Sequence, residues 1–120
     1  MENIKKTDAI KEAKEILKKY NQSTIMFSDY CERRMNKRNI EKPQVKEILL
    51  KHDDLFYIEK QSVYIRNRDL EELRYKLIFK ISNRYSLIII ITEEEKILKV
   101  LNVIKTSRKI KKEWEKKILK

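Results

Sequence analysis

In the first half of the chain, hydrophobic positions recur every three to four residues. In the second half they alternate or run together. Ala9, Ile10, Ala13, Ile16, Leu17 and Tyr20 fall on one stripe of a 3.6-residue period, which predicts an amphipathic helix over residues 8–20 capped by Thr7 or Asp8. Asn21 to Ser23 break that pattern, and residues 25–27 form a short apolar run suited to an edge strand. A second helix is expected from Ser28 or Asp29 to the breaker Asn39, with Glu32 three residues after Asp29 as in a capping box. Pro43 fits the first turn of a third helix, where its missing N–H costs nothing. Val45, Ile48 and Leu49 would give that helix its buried face, and it should end near His52.

Beyond His52 the period changes. Residues 55–58 and 63–66 read as two short strands. Tyr75, Leu77, Phe79 and Ile81 alternate with Arg74, Lys76 and Lys80, the pattern of a strand with one buried face. Residues 85–92 form a nearly continuous Leu/Ile run, as expected of a central strand covered on both faces. Residues 97–105 read as a further strand. Thr106 or Ser107 would then start a last helix with Ile110, Trp114 and Ile118 four apart. Helices followed by strands predict an α+β fold: N-terminal helices on an antiparallel sheet of about four to five strands, plus a C-terminal helix. One domain of 120 residues is expected, ending in a basic helix at 107–120.

Charge sharpens the picture. Thirty Lys and Arg against 19 Asp and Glu leave a net +11, which favours a polyanionic partner such as RNA. The bland alternative is a solvated Lys/Glu-rich surface. The basic residues cluster. Residues 31–51 carry a net +4 and residues 106–120 a net +5. Glycine is absent, which excludes Gly-rich phosphate loops and leaves no cofactor expected. One cysteine and one histidine exclude a Cys/His zinc site and an internal disulfide, and no metal site is expected. The longest apolar run is five residues and the N-terminus is charged, so the expectation is a cytoplasmic protein with no membrane partner.

Within the second helix, Tyr30, Arg34 and Arg38 share one stripe and Cys31 and Met35 the next. The first stripe could clamp a phosphate and stack a base; alternatively its arginines pair with Glu32, Glu41 or Glu47. Arg74, Lys76 and Tyr85, with Lys105, Arg108 and Lys109, form a second constellation on or beside the sheet. Metal-free RNA cleavage needs a group that orients the 2′-hydroxyl, one that stabilises phosphate charge and one that protonates the leaving oxygen. Tyr30, Arg34, Arg38, Arg74, Lys76 and Tyr85 are the candidates for that chemistry. Arg33, Lys37, Lys105, Arg108 and Lys109 are the candidates for binding the nucleic-acid backbone. His52 reads as a helix-end residue and Cys31 as a core residue.

The segment from Ser28 to Val45 resembles the opening of an uncharacterised domain family related to the RelE/ParE toxin superfamily, close to its BrnT-like branch. That pattern runs Ser-x-His-Ala-x-x-Arg-Met-x-x-Arg-Gly-Ile, then four residues and a valine-containing helix. Ser28, Arg34, Met35, Arg38, Ile40 and Val45 match it in spacing. Tyr30 stands where the family has histidine, Cys31 where it has alanine and Asn39 where it has glycine. The resemblance implies a small α+β fold and a metal-independent RNA endonuclease, ribosome-associated in some relatives and restrained by an antitoxin protein, here an acidic one. It implies a toxin-like core over residues 25–110, to which the helix at 8–20 is an addition, and it carries over to Arg34 and Arg38. A non-catalytic nucleic-acid-binding domain on the same fold is the second expectation. The third is an interaction module, with a homodimer through the Trp114 helix.

Overall fold

The computed structural model describes residues 6–107. Three helices, α1 (Lys6–Leu17), α2 (Asp29–Lys37) and α3 (Lys42–Lys51), accompany five strands: β1 (Ile25–Phe27), β2 (Leu55–Ile65), β3 (Leu70–Lys80), β4 (Tyr85–Glu94) and β5 (Ile97–Ser107). The strands form one sheet in the order β1-β5-β4-β3-β2. The fold is α+β, with the helices on one face of the sheet. The sheet is mixed, because β1 pairs parallel to β5 while every other pair is antiparallel. The chain crosses from β1 at one edge of the sheet to β2 at the other through α2 and α3, and three successive antiparallel pairings then bring β5 back alongside β1 in the same direction.

Alternation sorts the sheet's side chains. Tyr75, Leu77 and Phe79 of β3 join Leu87, Ile89 and Ile91 of β4 and Leu98, Val100 and Val103 of β5 in one core with Ala13, Leu17, Cys31, Met35, Val45 and Leu49 from the helices. The central strand is buried on its other face as well, where Ile88 lies opposite Ile78, at 3% and 2% exposure.

Several boundaries differ from the sequence expectations. α1 ends at Leu17, because the Asn21 side chain organises the next turn, accepting from the Ser23 and Thr24 N–H groups. Tyr20 is buried all the same. The cap of α2 is Ser28, whose hydroxyl accepts from Cys31 N–H at 3.1 Å. Glu32 therefore sits one place too far along for a capping box and pairs with Lys42 instead. Residues 55–65 form one strand, not two. β2 is an outer strand, so the polar stretch Glu59–Ser62 stays solvated while its backbone pairs with β3. Thr106 and Ser107 belong to β5, opposite Ser86 and Tyr85. The rest of the expected terminal helix, with Trp114, lies outside the described residues. In a chain without glycine, the left-handed positions fall to Asn39, His52, Asp69 and Glu95. Asn39 follows α2, His52 caps α3, Asp69 follows the 3₁₀ turn Arg66–Arg68 between β2 and β3, and Glu95 turns β4 into β5.

Candidate nucleic-acid interface

α2 lies against β5, with Cys31 and Met35 sunk into the core and in sulfur–sulfur contact at 3.6 Å. Burial, with Glu32 adding to it, pushes the Cys31 thiol up to about 11, so it is a packed neutral group at physiological pH. The neighbouring stripe is presented as the period predicts, and its three members do different things. Tyr30 is 49% exposed. The Arg34 guanidinium lies over its ring, 5.6 Å from the centroid, and the buried Arg34 Nε has no hydrogen-bond partner among the described residues.

Arg38 is committed to the sheet. β1 stops at Phe27, so among the described residues no strand pairs with the outer edge of β5 beyond Val100. Arg38 Nη1 donates to the Val103 carbonyl at 2.7 Å and to Asn102 Oδ1 at 3.1 Å, and Asn102 Oδ1 also accepts from Val103 N–H. The Ser28 hydroxyl reaches the Leu101 carbonyl. α2 thus closes with side chains the edge that β1 leaves open. The alternative ion pairs to Glu32 and Glu47 are taken by Lys42 and Lys51. Arg33 and Lys37 are exposed on the outer side of the same helix.

A second aromatic–cation pair stands on the same side of the sheet. Tyr85 begins β4 and Lys105 sits near the end of β5, opposite Leu87. Alternation from the core residues Leu87 and Val103 turns both toward the helix side. Lys105 Nζ lies 4.5 Å from the Tyr85 ring centroid, and Tyr85 is 42% exposed. Arg74 and Lys76 are elsewhere. They alternate with the core residues Tyr75 and Leu77 and so belong to the sheet face away from the helices. Arg74 is bound there to Glu72 at 2.8 Å, and Lys76 lies opposite Glu59. The six candidates for cleavage chemistry are therefore divided between two faces. Arg108 and Lys109 lie outside the described residues.

Two contacts escaped sequence reasoning. The Tyr20 hydroxyl donates to Glu93, which also receives Lys19 Nζ at 2.9 Å. Burial raises the Glu93 carboxyl, but the hydrogen bonds from Tyr20 and Lys19 outweigh it and hold the group below the usual range. Burial and the same hydrogen bond raise the Tyr20 phenol. Partners 73 residues apart leave no local signal. The same holds for Arg38 with Asn102. No family model, no curated protein and no solved structure matches this chain.

Proposed function

We propose that this chain is an RNA-directed domain of the RelE/BrnT-like toxin kind that holds RNA on the α2–β5 side of its sheet. The observation that carries the reading is the presence there of two exposed tyrosines, each stacked with a cation: Tyr30 with Arg34 and Tyr85 with Lys105. An exposed ring offers a platform for an unpaired base, and the cation beside it meets the adjoining phosphate. Arg33 and Lys37 extend the positive surface along α2. Arg38 contributes by fixing α2 to β5, and its Nη1 is already used.

Cleavage is the sharper form of this reading, favoured by the phenol beside a cation in each pair. The 2′-oxygen would attack the adjacent phosphorus, forming a 2′,3′-cyclic phosphate as the bond to the 5′-oxygen breaks and that oxygen takes a proton. Arg34 and Lys105 would hold the phosphate, and Tyr30 or Tyr85 would move the proton. An acidic antitoxin would cover the same positive surface. The split between faces leaves Arg74 and Lys76 out of that step and favours binding over the full six-residue catalytic set.

The test is incubation of the protein with a structured RNA in EDTA, beside an Arg34→Ala/Lys105→Ala variant. Binding is read by gel shift at several salt concentrations, and new RNA ends are mapped. Salt-sensitive binding weakened in the variant supports the interface. New 2′,3′-cyclic ends from the parent alone support cleavage. Equal binding by parent and variant removes the interface.

A further inference from the structure

The far end of the sheet has an opening that the RNA reading does not use. The register between β3 and β4 ends at Arg74 opposite Thr92, yet β3 continues four residues further, to Leu70, paired only with β2. β4 runs on to Glu94 beside β5 without pairing to β3, and the tip of the β2–β3 hairpin projects past its end as an arm. Between it and the β4–β5 turn lies a cleft of about 810 Å³, lined by Leu70, Glu71, Leu73, Glu93, Glu95 and Ile97 among others. Backbone direction along β3 is set by two bonds. Lys80 N–H reaches Asp54 on the β2 side, and Ile81 N–H reaches Tyr85 on the β4 side. Odd-numbered residues of β3 consequently point their N–H and C=O toward β4. For Leu73 and Glu71 that direction is the cleft. The Leu73 carbonyl takes the Thr92 hydroxyl at 2.8 Å. No described strand pairs with Leu73 N–H or with either backbone group of Glu71.

Such an edge is a template for another strand. The arm also exposes large apolar side chains. Leu70 and Leu73 are 44% and 47% exposed, and Tyr64 lies on the partner strand across from Glu71. The cleft's acidity selects the occupant. Five glutamates and two basic residues line it, in a chain of net +11. Glu72, Glu93 and Glu94 are paired with Arg74, Lys19 and Lys99. Glu71 accepts only the Ser62 hydroxyl among the described contacts, and Glu95 stands exposed at the turn. Two copies of this edge would bring like charges together, which disfavours self-pairing.

We propose that the β3 edge at Leu70–Leu73 accepts an extended segment of a partner protein as an added strand. That segment carries lysine or arginine opposite Glu71 and Glu95 and, alternating with them on its other face, apolar side chains against Leu70. The site is independent of the RNA interface, because Tyr85 and Glu94 are opposite ends of one strand.

The experiment uses the full chain and two synthetic eight-residue peptides, one alternating lysine with valine and one alternating glutamate with valine. Amide hydrogen exchange is followed residue by residue. The expected result is slowed exchange at Glu71 and Leu73 with the lysine peptide only. Binding should weaken about tenfold in a Glu71→Lys/Glu95→Lys variant and be lost in Leu73→Pro, which removes the N–H facing the cleft. Should Leu73→Pro fail to fold, the surface charge variant still decides. Absence of protection at Glu71 and Leu73 overturns the proposal, whether because the peptide does not bind, binds elsewhere or finds the edge covered by the chain's own residues. Equal binding of the glutamate peptide overturns it too.

Discussion

At the scale of single residues, side chains that look interchangeable in the sequence do unlike work. Arg34 and Arg38 are one helical turn apart, yet Arg34 stacks on an exposed ring while Arg38 binds a strand carbonyl. Arg38→Ala leaves the part-buried Val103 carbonyl without its charged donor, so a loss of about 1–3 kcal/mol is expected in urea unfolding. Arg34→Ala should leave stability within about 0.5 kcal/mol and weaken RNA binding. His52 sits at φ 44° at the end of α3, its Nδ1 buried without a partner among the described residues. Glycine relieves a left-handed backbone costing about 1–2 kcal/mol and adds about 0.5–1 kcal/mol of chain entropy. His52→Gly is therefore expected to raise the midpoint of thermal unfolding slightly.

The Tyr20–Glu93 bond gives a pH dependence with two limits. Glu93 is held below its ordinary range, so its contribution is present above the unfolded carboxyl value, about 4.3. It is lost as pH falls through the folded value. Tyr20 is held above its ordinary range, so the unfolded chain ionises first and stability falls above about pH 10. Unfolding measured from pH 3 to 11 should show both declines. Glu93→Gln should flatten the acid limb and Tyr20→Phe the alkaline one.

At the scale of elements, the central strand and the two outer regions differ in how they are held. β4 is buried on both faces over Leu87–Ile89, so Ile89→Ala should cost about 2–5 kcal/mol in the same unfolding experiment. β2, at the rim, tolerates Glu59, Lys60 and Gln61 in its interior because their side chains reach solvent or partners. Lys60 reaches Glu12 of α1 at 2.5 Å. The three-residue β1 is too short to close the β5 edge, and α2 completes that closure through Ser28 and Arg38. The helical period of α2, with its buried Cys31 and Met35, was legible because a helix repeats its face every few residues. The unity of β2 was not legible, because a polar run in an edge strand has no alternation to read.

At the scale of the molecule, charge is polarised along the sheet. The α2–β5 side carries Arg33, Arg34, Lys37 and Lys105, and the β4–β5 turn carries the glutamates. Each phosphate neutralised on a single strand contributes about −0.7 to the slope of log affinity against log salt. Four cations in contact predict a slope near about −3. Substituting Arg34 and Lys105 together should bring it to about −1.5, measured by fluorescence anisotropy with a short RNA.

What the chain determined by itself is local. The 3.6-residue stripe at Cys31 and Met35, the Pro43 start of α3 and the Leu87–Ile91 run are each a signal contained within the element that carries it. The absence of glycine decided in advance that left-handed turns would fall to other residues. What only the tertiary structure decided is which of these surfaces meet. Alternation placed Arg74 and Lys76 on one side of β3, but nothing local told which side the helices would cover. The bond from Arg38 to Val103 joins positions 65 apart. The edge at Leu70–Leu73, unpaired on its β4 side among the described residues, exists because the β3–β4 pairing stops at Arg74 and Thr92 while both strands run on, a property of register between strands. Register is set by the burial of a whole face at once, which no single segment contains.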